Sequence, residues 1–267
     1  MEPLLRVENL TKRFGGLIAV NKVSLEIYPG EVVGLIGDNG AGKSTLIKMI
    51  SGVYQPDGGK IFFDGKEVTF LGPREARELG IETIYQDLAL AENLDVSANI
   101  FLGREIKRPY LGGLVHTLDR HKMQSESKNV LTRLEIRIPS LTEKIRNLSG
   151  GQRQAVAIAR SIYWNARLMI MDEPTAALGV SEQRKVLTLV RTLRDQGVPV
   201  ILISHNMQDV FAVADRMIVL RRGRKVGERR ASETTPDDLV SLMVGAEAVH
   251  EMGVIPKPKT TSNEDAL

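Results

Sequence analysis

The chain has 267 residues, a formal net charge of +3 from 36 Lys and Arg against 33 Asp and Glu, and no cysteine. That length can bury a full core in one large or two modest domains, and the missing thiols exclude a disulfide framework and any cysteine metal site while fitting a reducing cytoplasm. No apolar run reaches the roughly 18 residues of a membrane-spanning helix. The start, Met1-Glu2-Pro3-Leu4-Leu5-Arg6, lacks the basic and apolar regions of a signal peptide, and 42% hydrophobic with 26% charged residues is an ordinary globular composition.

In chain order, short β-type runs alternate with helix-spaced ones, which predicts an α/β core. Strands are expected over 4–8 and 23–28. Residues 31–36, Glu-Val-Val-Gly-Leu-Ile, form a nearly continuous apolar strand of the kind buried on both faces of a sheet. A Gly-rich turn and a helix from about Lys43 to Gly52 follow. Residues 58–70 alternate around Asp64-Gly65, a hairpin signal, and 81–85 read as a core strand. From about 88 to 165 the pattern is mostly helical, clearest over 119–135 and 151–164. The stretch 103–116, with Pro109 and three glycines, reads as a loop. Strand, helix, strand, helix and strand then follow over 167–172, 181–196, 198–203, 206–214 and 215–220. Arg222-Gly223 turns into a short strand, a last helix covers about 236–244, and the tail from 248, with Pro256 and Pro258, is expected to be mobile.

Residues 37–44 read Gly37-Asp38-Asn39-Gly40-Ala41-Gly42-Lys43-Ser44, the G-x-x-x-x-G-K-S pattern placed between a buried strand and a helix. Glycines there let successive backbone N–H groups converge on phosphate oxygens, and the helix N-terminus adds its positive dipole end. Lys43 is expected to reach the β- and γ-phosphates of ATP and the Ser44 hydroxyl to ligate Mg²⁺, with Thr45 completing the loop. A second feature is Arg167-Leu-Met-Ile-Met-Asp172-Glu173, four apolar residues and then carboxylates. Asp172 is the candidate to hold the metal, and Glu173 to orient or deprotonate an attacking water.

Residues 148–152 read Leu-Ser-Gly-Gly-Gln. With the phosphate loop and Asp172-Glu173, this run resembles the nucleotide-binding subunit of an ATP-binding cassette (ABC) transporter, over residues 4 to about 245. The resemblance implies a P-loop NTPase fold: a RecA-like core sheet, an antiparallel β subdomain, and a helical subdomain at about 88–165 inserted into a domain spanning 1–247, ahead of a tail at 248–267. It implies that Phe14 stacks on adenine, that Gln86 touches Mg²⁺ and reports to the permease, and that His205 contacts the γ-phosphate. Ser149, Gly150, Gly151 and Gln152 would close over the ATP held by the other copy of a dimer, since in this family the two motifs of one chain do not meet. Two copies, or one copy and a paralogous cassette, would build a complete site; a homodimer is the preferred assembly, because one set of motifs then supplies both sites.

One position departs from the family pattern: where Asp usually follows Ser-Ala-Leu, this chain has Ala176-Ala177-Leu178-Gly179, which bears on coupling between the two sites. Phrases such as Tyr-Gln-Asp-Leu-Ala-Leu and Asn-Ile-Phe-Leu-Gly-Arg-Glu are similar to the monosaccharide importer branch, in its single-cassette form. The opening Leu-Thr-Lys-Arg-Phe-Gly-Gly-Leu-Ile-Ala-Val also resembles branched-chain amino acid importers. The implied partners are an integral membrane permease and an external sugar-binding protein, at the cytoplasmic face of the membrane. Leu88, Leu90, Leu94 and Val96 are expected at the permease groove. A soluble cassette ATPase without a membrane partner is a further alternative, and a non-catalytic nucleotide sensor is disfavoured by the presence of Glu173 and His205. The basic run Arg221-Arg222-Gly223-Arg224-Lys225 reads as a solvated hairpin and not a nucleic-acid surface, because it lacks interleaved aromatics.

Overall fold

The computed structural model describes residues 2–110 and 115–245. The expected tail at 248–267 lies outside them. Strands β1 (Leu5–Phe14), β2 (Leu17–Ile27), β4 (Gly58–Phe63) and β5 (Lys66–Val68) form an antiparallel sheet in the order β2-β1-β4-β5. Strands β3 (Val32–Gly37), β6 (Ile81–Ile84), β9 (Leu168–Asp172), β10 (Val200–Ile203), β11 (Arg216–Arg221) and β12 (Arg224–Arg230) form the larger sheet, ordered β12-β11-β3-β10-β9-β6. All its neighbours are parallel except β11 and β12.

The near-continuous apolar strands are explained by burial on both faces. Val32 and Ile36 of β3, Met169 and Met171 of β9, and Val200 and Leu202 of β10 enter one core. Their neighbours Val33, Leu35, Leu168, Ile170, Ile201 and Ile203 enter the other. The first core is shared with α3 (Val96–Ile100), α4 (Arg120–Arg133), α5 (Gly150–Tyr163), α6 (Val180–Asp195) and α7 (Met207–Val213). The second is shared with α1 (Lys43–Ile50) and the antiparallel sheet. Val96 is fully buried in the first core, so it is a packing residue and not part of an open groove; Leu88 and Leu90 are partly buried against the same core.

The structure departs from expectation in three places. β1 and β2 run well beyond 4–8 and 23–28 because bulges interrupt the two-residue alternation. The register slips between Val7 and Leu10, and Asn9 and Lys22 sit at φ 50° and 53°. Residues 103–116 are not all loop: β7 (Lys107–Tyr110) pairs with β8 (Val115–Leu118), with Pro109 opposite His116. A two-stranded ribbon leaves one side of each strand unpaired, where a residue without an N–H costs nothing. Two short helices, α2 (Pro73–Glu78) and α3, carry too few residues to show a period. The hairpin at Asp64-Gly65 forms as expected, with both residues at positive φ (54° and 73°). The last helix, α8, spans Pro236–Val244.

Candidate functional site

Registers across the large sheet align the strand ends that carry the motifs. Ile203 of β10 lies beside both Leu35 of β3 and Asp172 of β9, and Ile84 of β6 lies beside Met171. The loops after β3, β10, β9 and β6 therefore leave one edge of the sheet, the carboxyl edge where open α/β sheets bind ligands.

The loop after β3 is built around glycine. Gly42 has φ 101°, and a Cβ there would lie 2.5 Å from the Ala19 carbonyl oxygen; at Gly37 it would lie 2.3 Å from that of Leu220. Both approaches are to backbone, so neither can be relieved by a rotamer change. The Ala41 amide donates to Asp38 O at 3.0 Å, and the Ala41 carbonyl accepts from Gly223 N. By contrast, the amides of Gly40, Gly42, Lys43, Ser44 and Thr45 find no carbonyl or side-chain acceptor among the described residues. Five unsatisfied donors at the start of a helix form an anion site. Lys43 Nζ folds back onto this loop, donating to Gly37 O at 2.6 Å and Asp38 O at 3.0 Å.

The carboxylates stand beside that loop. Burial lowers the Lys43 pKa, and the charges of Glu173, Asp172 and Asp38 partly restore it. Burial also raises the Asp172 pKa, with Glu173 adding to it and Lys43 and Lys48 opposing. Glu173 follows β9 at φ 52° and donates its own N–H to Ile203 O. Its Oε1 accepts the backbone N–H of His205 at 3.0 Å, and its Oε2 lies 2.8 Å from His205 Nδ1. This second approach lacks hydrogen-bond alignment, so the buried Oε2 has no aligned donor. The imidazole itself is largely exposed.

Gln86 is exposed just past β6 and lines a cleft of about 320 Å³ with Glu173, Pro174, Gly150 and Arg153. Among the described residues no three Asp, Glu or His side chains group as a metal site. Asp172, the Ser44 hydroxyl and the Gln86 carbonyl are nevertheless all hard oxygen donors. One carboxylate plus substrate phosphates is the usual complement of Mg²⁺, so the donor set fits that ion.

Ser149 is the N-cap of α5. Its hydroxyl accepts from Gln152 N at 3.3 Å, while Gln152 Oε1 accepts from Ser149 N at 3.0 Å, a capping box. A Cβ on Gly150 would lie 2.6 Å from Leu178 Cδ2, and one on Gly151 3.0 Å from Glu182 Cβ, so the glycines let α5 start against the first turn of α6 and the residue just ahead of its cap. Ser149, Gly151 and Gln152 border a cavity of about 490 Å³ with Glu135, Arg137 and Arg184. Loop residues 37–45 line neither this cavity nor the Gln86 cleft. The structure thus joins Glu173 with His205 and places Gln86 and Gly150 on one cleft with Glu173, while among the described residues no hydrogen bond joins Ser149–Gln152 to the phosphate loop.

Phe14 ends β1 and is 43% exposed, edge-to-face with Tyr54 at 5.4 Å. Tyr54, just beyond α1, was missed at the level of sequence; an aromatic after a helix carries no periodic signal. Gly179 is the N-cap of α6 at φ −69°, and a Cβ there would meet nothing within 4 Å, so neither conformation nor crowding requires glycine.

A glycine-lined anion loop on a two-faced parallel sheet, with an acid pair on a neighbouring strand and a separate capped Ser-Gly-Gly helix start, defines an ATP-binding cassette. The ABC transporter family profile matches residues 20–176, and the chain belongs to that family. It is 50% identical to a xylose/arabinose import ATP-binding protein of Sulfolobus acidocaldarius, over 91% of this chain and 94% of that one. It is 46% identical to a fructose import ATP-binding protein of Rhizobium meliloti, over 92% and 95%. A ribose import ATP-binding protein of Rubrobacter xylanophilus is 45% identical, but there the chain spans only 48% of the relative's length. Among solved structures, a nucleotide-free ATP-binding cassette from an ABC transporter superposes with TM-score 0.77 at 27% identity, covering 93% of this chain and 98% of the other. A dimeric cassette in a post-hydrolysis state with ADP and Pi superposes with TM-score 0.70 at 26% identity, covering 85% and 98%. Among the described residues, no helix is long and apolar enough to cross a membrane.

Proposed function

We propose that this chain is the ATP-hydrolysing subunit of a monosaccharide importer, working as a homodimer beneath a separate permease at the cytoplasmic face of the membrane. An external sugar-binding protein would deliver the solute. The observation that carries hydrolysis is the Glu173 carboxylate, held by the backbone N–H of His205, which follows β10, the neighbour of the strand that leads into a loop with five free amides. The assignment to sugars is supported by near end-to-end likeness to xylose/arabinose and fructose import ATP-binding proteins.

In this reading the free amides of residues 40 and 42–45 bind the phosphates of ATP, and Lys43 exchanges its two loop carbonyls for phosphate oxygens. Ser44, Asp172 and Gln86 would hold Mg²⁺, which would supply neutralisation of phosphate charge. Phe14 offers its exposed ring to the adenine. Glu173 aligns the water and takes its proton, while His205 holds the carboxylate and faces the γ-phosphate. Ser149 keeps its O–H free to donate while its oxygen accepts from Gln152. Ser149 makes no hydrogen bond to the phosphate loop of its own chain, and in this reading it and Gly150, Gly151 and Gln152 complete the site of a second copy. Phosphoryl transfer needs positioning and charge neutralisation above all, which this arrangement supplies.

The test is reconstitution of the chain with its permease in proteoliposomes. ATPase activity stimulated by pentoses or hexoses with their binding protein supports the proposal. Stimulation by leucine, isoleucine or valine assigns the chain to amino acid import, and activity indifferent to any permease assigns it to a soluble role.

A further inference from the structure

We propose that Asp209 is a positioning residue for ATP hydrolysis: through Thr175 it holds the Glu173 loop in register with His205. The inference rests on the reading of Glu173 as the group that handles water.

Glu173 and His205 lie on two different loops, after β9 and β10. The Glu173 loop is irregular, with Glu173 and Ala177 at positive φ (52° and 61°). Its inner backbone bonds, Ala176 N to Glu173 O and Leu178 N to Thr175 O, are local and do not reach the His205 loop. Beyond the contacts of Glu173 itself, a side-chain bond joins the Glu173 loop to the first turn of α7, the helix that follows the His205 loop. The Thr175 hydroxyl donates to Asp209 Oδ2 at 2.6 Å. Both residues are buried, Thr175 at 4% and Asp209 at 6% exposure. That length is typical of a charge-assisted O–H···O⁻ bond.

Asp209 is itself tied back to His205. Its N–H donates to Asn206 O at 3.1 Å, Asn206 Oδ1 accepts from Gln208 N, and the Asn206 amide donates to Ser204 Oγ. The contacts close a ring: Glu173, Pro174, Thr175, Asp209, Asn206, His205 and back to Glu173. Asp209 makes no ion pair with any described residue, and Thr175 is the one hydrogen-bond donor to its carboxyl group among them. A buried carboxylate is costly and leaves Thr175 no choice but to act as donor, which locks the side-chain rotamer two residues from Glu173. Displacement of a catalytic group by about 1 Å can cost roughly a hundredfold in rate, so a rigid tie at this point acts on kcat.

The experiment compares Asp209→Ala, Asp209→Asn, Thr175→Val and Thr175→Ser with wild type and with Glu173→Gln, in steady-state ATPase and nucleotide-binding assays. Thr175→Val and Asp209→Ala are expected to lower kcat by about tenfold to a hundredfold while KM and nucleotide affinity stay within about twofold. Thr175→Ser, which restores the hydroxyl, should recover most of the loss seen in Thr175→Val. The double variant Thr175→Val/Asp209→Ala should be no slower than the worse single one, because both break the same tie. If Asp209→Ala fails to fold, Thr175→Val and Asp209→Asn carry the test. Wild-type kcat in Thr175→Val and in Asp209→Ala or Asp209→Asn, with Glu173→Gln inactive, overturns the role of Asp209 alone. So does an equal loss of nucleotide affinity and kcat, which is the mark of general destabilisation. Wild-type hydrolysis by Glu173→Gln instead overturns the reading of Glu173.

Discussion

Replacing Glu173 with Gln separates chemistry from binding. The amide is isosteric, and its carbonyl can still accept the His205 N–H now received by Oε1 at 3.0 Å. What disappears is the negative charge and the ability to take a proton from water. General-base catalysis is commonly worth about 10²–10⁴ in rate, equivalent to about 2.7–5.4 kcal/mol of transition-state stabilisation. The fold should not suffer, because the charge removed repels Asp172, whose pKa is raised first by burial and next by Glu173. The same change deepens the lowering of the Lys43 pKa, since Glu173 is the largest influence opposing burial there. The expected result is a chain that melts within a few degrees of wild type, binds ATP at least as well, and accumulates as an ATP-bound dimer in light scattering. Single-turnover hydrolysis should be slower by at least about a hundredfold. A rate within threefold of wild type would refute the base assignment. A melting temperature lower by about 8 °C, corresponding to roughly 2–4 kcal/mol for a domain of this size, would show that the Glu173–His205 contact is structural.

Further outcomes follow from the same geometry. Gly40 and Gly42 both have positive φ, but only Gly42 would press a Cβ onto backbone. Gly40→Ala should therefore cost about 1–2 kcal/mol of strain, and Gly42→Ala clearly more; equal urea midpoints would contradict the crowding. Ser149→Ala removes the acceptor for Gln152 N and should cost about 0.5–1 kcal/mol in calorimetry, the low end for a cap because the bond is long and exposed. Its loss of hydrolysis should exceed that of any equally destabilised surface variant; a loss no greater would remove Ser149 from the site. The raised Asp172 pKa means that the unfolded chain releases this proton at lower pH than the folded chain does. Between the two values the unfolded state binds fewer protons, so this contribution to stability is lost as pH rises through them and stays lost at neutrality. Asp172→Asn should remove that penalty and stabilise the nucleotide-free chain at pH 7 while slowing Mg²⁺-dependent hydrolysis. Parallel urea midpoints against pH for the two proteins would count against it.

Much of this protein was legible because its decisive signals are local. The strand of residues 31–36, the glycines after it and the helix from Lys43 are contiguous, and steric demands at Gly37 and Gly42 are written in residue type. The capping box of α5 needs only the spacing of Ser149 and Gln152. The apolar strands were readable because both faces are buried, so no alternation was needed to find them. Bulges defeated that logic in β1 and β2, where Asn9 and Lys22 break the period. The β7–β8 ribbon escaped notice because its strands are too short, and too exposed at Val115 and Leu118, to show a buried face.

Tertiary structure decided what contiguity could not. Glu173 and His205 are 32 positions apart and meet only because β9 and β10 are neighbours in register. Thr175 and Asp209 are 34 apart and meet for the same reason. Whether Ser149, the cap of α5, acts with a phosphate loop is likewise a matter of assembly and not of its spacing along the chain. Residue types and spacing set which chemistry the chain can perform, because phosphate binding relies on backbone amides that glycine exposes. Which side chains act together was set by the order of strands in the sheet, since long-range pairing depends on packing and not on spacing along the chain.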